Sequence, residues 1–156
     1  MSLERIRSVL SRIKWRSVVA LILLVAAFLM LVQYVPGGFT EGGGVGIRVI
    51  PNPAKISPGQ YSMMEIELKN VNNDKDLTVV LTAATYDKNV FFDESYTQSY
   101  GSASINIGPQ ETRKMSLKVK TKPDTMQGKY TVDFKAKPAG EDKGAETRVF
   151  LAVDKS

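Results

Sequence analysis

Two hydrophobic periods divide the chain. From Ser17 to Val35 the sequence reads SVVALILLVAAFLMLVQYV, nineteen residues without a charge. Wound as a helix, this stretch is roughly 28 Å long, close to the ~30 Å hydrocarbon core of a bilayer, and it predicts one transmembrane span over 17–35. Ahead of it, Leu3, Ile6, Leu10, Ile13 and Ser17 recur at three and four residues, while Arg5, Arg7, Arg12 and Arg16 take other angles. That spacing predicts a basic amphipathic helix over 1–16. Pro36-Gly37-Gly38 and Gly42-Gly43-Gly44 end the apolar run, and residues 36–44 are expected to form a short flexible tether.

From Val45 to Asp154 the period changes to two. VGIRVI opens with Ile47 and Val49 on one face, and PNPAKISPGQ follows as an irregular crossing whose prolines keep it at an edge. Tyr61 to Lys69 sets Met64, Ile66 and Leu68 against Glu65, Glu67 and Lys69, so the glutamates are expected on a wet face. Leu77 to Tyr86, apolar on both faces, suits a central strand. Further strands are predicted at the short NVFF, at 102–107, at 114–120 with Met115, Leu117 and Val119 inward, at 129–136 with Tyr130, Val132, Phe134 and Ala136 together, and at 147–153. Seven or eight short strands with turns at SPG, GPQ, PDTMQG and PAGEDKG predict a seven-stranded Greek-key β-sandwich over 45–154.

Charge fixes the orientation of the span. The net charge is +5, and five cations against Glu4 stand before the span, whereas residues 36–50 hold only Arg48 and Glu41. The positive-inside rule therefore places the N-terminus in the cytoplasm and the sandwich outside the membrane. Trp15 and Tyr34 stand at the two ends, where interfacial rings belong. A cleaved signal peptide is the competing reading, but the apolar run exceeds a usual signal core, and cutting near Ala26 and Ala27 leaves an apolar new terminus. The expectation is an uncleaved signal-anchor running from Ser17 to Val35.

Cysteine and histidine are both absent, which removes disulfides, thiolate nucleophiles, imidazole bases and nearly all zinc or copper sites. No cofactor or metal is expected, and the reading is not an enzyme. With the cationic excess confined to one end, a nucleic-acid interface is also excluded. Gly128 stands two residues before Tyr130, which opens an alternating penultimate strand, the setting of a tyrosine corner whose hydroxyl bonds back to main chain.

The segments IRVIPNPAKISPGQ, NIGPQETRKMSLKVK and GKYTVDFKA resemble the extracytoplasmic immunoglobulin-like domains of the fibronectin type III and CARDB kind, found in archaeal and bacterial envelope proteins. The chain departs from antibody domains in lacking both core cysteines and the core tryptophan, its one tryptophan being Trp15. The resemblance implies adhesion, spacing or subunit contact. It also makes an archaeal setting plausible, including archaellum stator subunits that carry one span and one such sandwich and grip the surface layer.

Five of the thirteen aromatics fall within residues 86–100. Phe92, Tyr96 and Tyr100 are the candidate interface, since such rings give large contact area at low entropic cost. Tyr86 and one of the two phenylalanines are assigned to the core. Asp74, Asp76, Asp93 and Glu94 lack the ligand count of a calcium loop and are read as turn charges. The row Arg113, Lys114, Lys118, Lys120 and Lys122 is read as a lysine-protected sheet face. The sequence thus predicts a membrane-anchored accessory or structural subunit, in contact with lipid and with integral membrane or envelope proteins. The alternative is a module that binds envelope polymer or surface-layer glycan.

Overall fold

The computed structural model describes residues 38–154. The expected basic helix and membrane span, with Trp15, Ser17, Ala26, Ala27, Tyr34 and Val35, lie outside the described residues. Among the described residues all regular structure is strand, and no helix is long and apolar enough to cross a membrane.

Ten strands form two five-stranded sheets. The first runs in the order β1 (Thr40–Gly42), β2 (Val45–Ile50), β4 (Tyr61–Asn70), β8 (Thr112–Thr121) and β6 (Val90–Phe91). The second runs β3 (Ala54–Ile56), β10 (Ala145–Val153), β9 (Gly128–Pro138), β5 (Leu77–Ala84) and β7 (Tyr100–Ile107). Every pairing is antiparallel except that of β3 with β10. The inner faces supply an aliphatic core, with Ile47, Met64 and Leu68 of the first sheet and Phe134, Val149 and Leu151 of the second all essentially inaccessible. Period-two alternation decides which residues enter it, because successive side chains of a strand point to opposite faces.

The count of ten exceeds the seven or eight expected through two very short strands, β1 and β3, the equally short β6 being the predicted NVFF. β6 has two residues, while β1 and β3 have three each. β3 lies inside the proline-rich crossing, and β1 lies inside the expected tether. Thr40–Gly42 pairs with Val45–Ile47, and Gly43 and Gly44 turn the hairpin at φ of 60° and 81°. A Cβ on Gly42 would come 2.4 Å from the Gly144 carbonyl oxygen, and one on Gly43 would come 2.5 Å from that of Lys143. The glycines here serve close backbone approach rather than slack.

The tyrosine corner is formed. Tyr130 donates its hydroxyl to the Met126 carbonyl at 2.9 Å while its ring packs against the core. Asn70 is fully buried and ties the two sheets, its amide nitrogen reaching the Lys75 carbonyl at 2.9 Å and the Ile107 carbonyl at 3.1 Å. Its side-chain oxygen accepts from the Asn72 backbone at 3.0 Å. No buried side-chain polar atom among the described residues lacks a partner, as a stable interior requires.

One expectation on the outer face of the first sheet is overturned. Glu67, assigned to solvent by alternation, is 4% exposed. Arg48, Glu67 and Lys114 are directly opposite one another across β2, β4 and β8. The Arg48 Nε donates to Glu67 at 2.7 Å, its guanidinium also pairs through Nη2, and the Lys114 ammonium sits 3.0 Å from the same carboxylate. Two long cationic side chains fold over the carboxylate and exclude water from it. Burial pushes the Glu67 carboxyl up, but hydrogen bonds from Lys114 and Arg48 outweigh burial and leave it below its ordinary value.

Candidate binding surface

The segment between β5 and β7 places the aromatics. Asp93 organises its tip by accepting from the Thr97 and Gln98 backbone amides at 2.9 and 2.8 Å and from the Thr97 hydroxyl at 2.7 Å. These bonds, that from Gln98 foremost, hold its carboxyl below the ordinary range. Tyr96, in the left-handed region at φ 56°, lays its ring edge-on to Phe91 with centroids 5.8 Å apart. The Lys120 ammonium lies 5.0 Å from the Tyr96 centroid. Glu94 pairs with both Lys118 and Lys120, and the hydrogen bond from Lys118 leads in pulling its carboxyl down to about 2.

These contacts divide the three candidate aromatics. Phe91 is buried, and Phe92 is half-buried against the core. Tyr96 is half-buried in the stack just described. Tyr100 alone of the candidates is largely free, at 57% exposed. The assignment of Tyr86 to the core is wrong, since it is 87% exposed. The reason is parity. Val79, Leu81, Ala83 and Thr85 are buried, so the even-numbered positions that end at Tyr86 face outward.

Tyr86 and Tyr100 instead line one groove of about 500 Å³ on the outer face of the second sheet. Thr82 and Ala84 of β5 contribute to its floor, and β9 and β10 contribute charged pairs. Arg148 stands opposite Asp133 in the ladder and grips it with two bonds, Nε to Oδ1 at 2.6 Å and Nη2 to Oδ2 at 3.0 Å. Lys135 pairs with Glu146 one step along. The hydrogen bond from Arg148 holds the Asp133 carboxyl below its usual range, and the same bond raises the guanidinium further.

This arrangement favours recognition over proton transfer. Glu67, Asp93, Glu94 and Asp133 are held below their ordinary values, and Lys114, Lys120 and Arg148 above theirs. Each displacement strengthens the charged form, whereas a general acid or base needs a value drawn toward the working pH. The basic row of β8 is likewise occupied, with Arg113 on Glu111 at 2.8 Å, Lys114 on Glu65 at 2.8 Å, and Lys118 and Lys120 on Glu94. No group of three or more acidic side chains able to hold a metal occurs among the described residues. Sequence reading missed Tyr86 and the Asp133–Arg148 grip, and odd-even parity along β5 is the signal that exposes the first.

No protein-family model matches the sequence, and no curated protein does. Solved structures do match. The CARDB domain of a Pyrococcus furiosus protein, crystallised with di-metal ions, is 12% identical with a TM-score of 0.51, the match covering 76% of this chain and 93% of that one. A type I cohesin from Pseudobacteroides cellulosolvens is 12% identical at a TM-score of 0.50, covering 70% and 93%. A portion of Escherichia coli alpha-2-macroglobulin, 7% of its length, is 13% identical over 72% of this chain at a TM-score of 0.56. At such identities the likeness is one of fold alone, a CARDB-like immunoglobulin sandwich.

Proposed function

We propose that the chain is a non-catalytic, membrane-anchored accessory or structural subunit that docks on a protein of a membrane or cell-envelope complex through the Tyr86–Tyr100 groove. The observation that carries this reading is the exposure of two tyrosines, 87% and 57%, beside a set of locked ion pairs on an otherwise open sheet face. Exposed tyrosine rings beside satisfied charges are typical of a contact surface. The apolar run 17–35, with cations before it, supports a single span with the N-terminus in the cytoplasm and the sandwich outside. Lipid is then the second partner, through the basic segment 1–16.

Gentle detergent extraction of the tagged full chain from its native membranes, followed by native sizing and mass spectrometry, tests this reading. The expected result is a defined complex with other membrane or envelope subunits that is lost in a Tyr86→Ala/Tyr100→Ala variant. Migration alone, or a complex indifferent to both tyrosines, overturns it.

A second reading has its own support. Two tyrosines flanking polar groups of Thr82, Asp133 and Arg148 also suit the stacking and hydrogen bonding of a sugar. On that reading the sandwich grips envelope polymer or surface-layer glycan, as in archaellum-stator-like anchoring. Binding of the purified full chain to isolated envelope polymer, abolished by Tyr100→Ala, distinguishes it from protein docking.

A further inference from the structure

β7 is the outermost strand of the second sheet, bonded to β5 alone. The Thr85 amide donates to the Ser99 carbonyl at 2.9 Å. By the two-residue alternation of an antiparallel ladder, Gly101, Ala103 and Ile105 therefore exchange bonds with β5, and Ser102, Ser104 and Asn106 turn their N–H and C=O groups to the open side. The Tyr100 carbonyl already accepts from the Gln98 side chain at 3.0 Å, so the free run begins at Ser102.

Other edges among the described residues are protected in the ways natural sheets use. β1 and β3 are three residues long, and β3 is bracketed by Pro51, Pro53 and Pro58. The unpaired part of β8 carries Lys114 and Lys118. β7 has none of these devices. Its sequence, YGSASINI, has eight residues with no charge and no proline.

A gap beside this edge matches a side chain on it. Between β7 and β8 lies a groove of about 190 Å³ lined by Gly101 and Ala103 of β7, Met115 and Leu117 of β8, and Ile66 and Leu81 beneath. A Cβ added at Gly101 would meet nothing within 4 Å. Two places along the same strand, on the same face, stands the half-buried Ile105.

We propose that β7 pairs antiparallel with β7 of a second copy about a two-fold axis at Ala103. Ser102 of each copy then lies opposite Ser104 of the other and exchanges backbone hydrogen bonds with it. Ile105 of each copy lies opposite Gly101 of the other and fills the vacant space at the groove mouth. The fit is self-complementary, which is what a two-fold interface demands. Shifting the axis to Ser104 sets Ile107 against Gly101 instead, and Ile107 is already fully buried in its own core. No charge opposes a like charge across the seam. Pairing fuses two second sheets and sets two tyrosine-lined grooves on one continuous face, and it holds whether or not those grooves dock a partner.

The absence of native cysteine makes the test direct. At the axis, Ala103 faces its own copy in a non-hydrogen-bonded pair, where Cα atoms sit about 4.5 Å apart, within disulfide range. Ala103→Cys in the full chain is expected to give a reducible dimer under mild oxidation, far above the collisional background set by Asp142→Cys in the exposed turn before β10. Adding Ser102→Lys and Ser104→Lys places cations opposite one another without touching the β5 ladder and is expected to return the yield to background. Raised salt is expected to leave the parent dimer unchanged. A dimer no more abundant than the Asp142→Cys control, one that survives the paired lysines, one dissolved by salt, or crosslinking through Ser104→Cys in preference to Ala103→Cys overturns the proposal. Association through the membrane span alone gives the first of these, so it is not mistaken for strand pairing.

Discussion

Glu67→Gln removes one charge from the centre of the Arg48–Glu67–Lys114 ladder while keeping the shape of the side chain. Hydrogen bonds to charged groups contribute about 1.5–3 kcal/mol each, and breaking a fully buried ion pair costs about 3–5 kcal/mol. Here the carboxylate is buried but its partners are not, the Arg48 and Lys114 side chains being 29% and 61% exposed. Water recovers part of what the cations lose, so the expected cost falls to about 2 kcal/mol. For a sandwich of this size that is a drop of roughly 8 °C in melting temperature. Urea unfolding of the full chain, followed by near-ultraviolet circular dichroism, measures it.

The pH dependence gives an independent check on the same residue. Its folded value lies below the ordinary 4.5, so the stabilisation is full above that pH and is lost as pH falls through the folded value. The gap between parent and Glu67→Gln should therefore close in acid. Replacing both partners, in Arg48→Met/Glu67→Met, leaves no uncompensated charge and should recover much of the loss. A Glu67→Gln cost below about 0.5 kcal/mol, within the range of ordinary surface substitutions, or a double variant no more stable than the single one, refutes the reasoning.

Other outcomes follow from single contacts. Tyr130→Phe keeps the packed ring and loses the bond to Met126, an expected cost of about 1 kcal/mol in urea unfolding. Gly43→Ala puts a side chain at positive φ and against the Lys143 carbonyl, and should cost about 2 kcal/mol with hydrogen exchange first accelerated in β1. Glu94, held near 2, keeps the β6–β7 segment fastened to β8 above its unfolded value. That fastening is lost between about 4.5 and 2 as the pH falls, which Glu94 carboxyl titration by nuclear magnetic resonance would report. Phe134→Ala, emptying the largest fully buried position, should cost about 3–5 kcal/mol.

Where one face of a strand is wet and the other apolar, the chain was legible. Met64, Ile66 and Leu68, then Val132, Phe134 and Ala136, alternate cleanly, and the structure buries them. Alternation names a face but not what crosses it. Glu67 was given to solvent because nothing local in β4 indicates that Arg48 and Lys114 fall opposite it in the assembled sheet. The same ignorance of neighbours made Gly42 and Gly43 read as slack, when the Gly144 and Lys143 carbonyls leave no room for a side chain. Tyr86 was lost differently. Its parity was available, but an apolar run on both sides of β5 hid which parity was inside. At the candidate surface, Tyr100 was found by composition, whereas the Asp133–Arg148 grip depends on strand register and could only come from the fold.

The short β1 hairpin also gives the sandwich a mechanical property. Ahead of it, the Phe39 ring covers Gly46, where an added Cβ would come within 3.2 Å, and the Arg48 guanidinium lies 4.9 Å from the ring centroid. A load drawn through the chain from the N-terminal side meets this latch first. Once Phe39 lifts, the segment before Val45 is held by the three-residue pairing of β1, by its approach to the Lys143–Gly144 backbone and by the Val71 amide bonded to the Gly44 carbonyl at 3.1 Å. Thr40 and Glu41 are exposed, so their release pulls nothing from the core. Yielding there pays out roughly 20 Å of chain while both sheets stay intact. The hairpin is thus the first part of the described fold to yield under such a load, and its extension leaves the core covered.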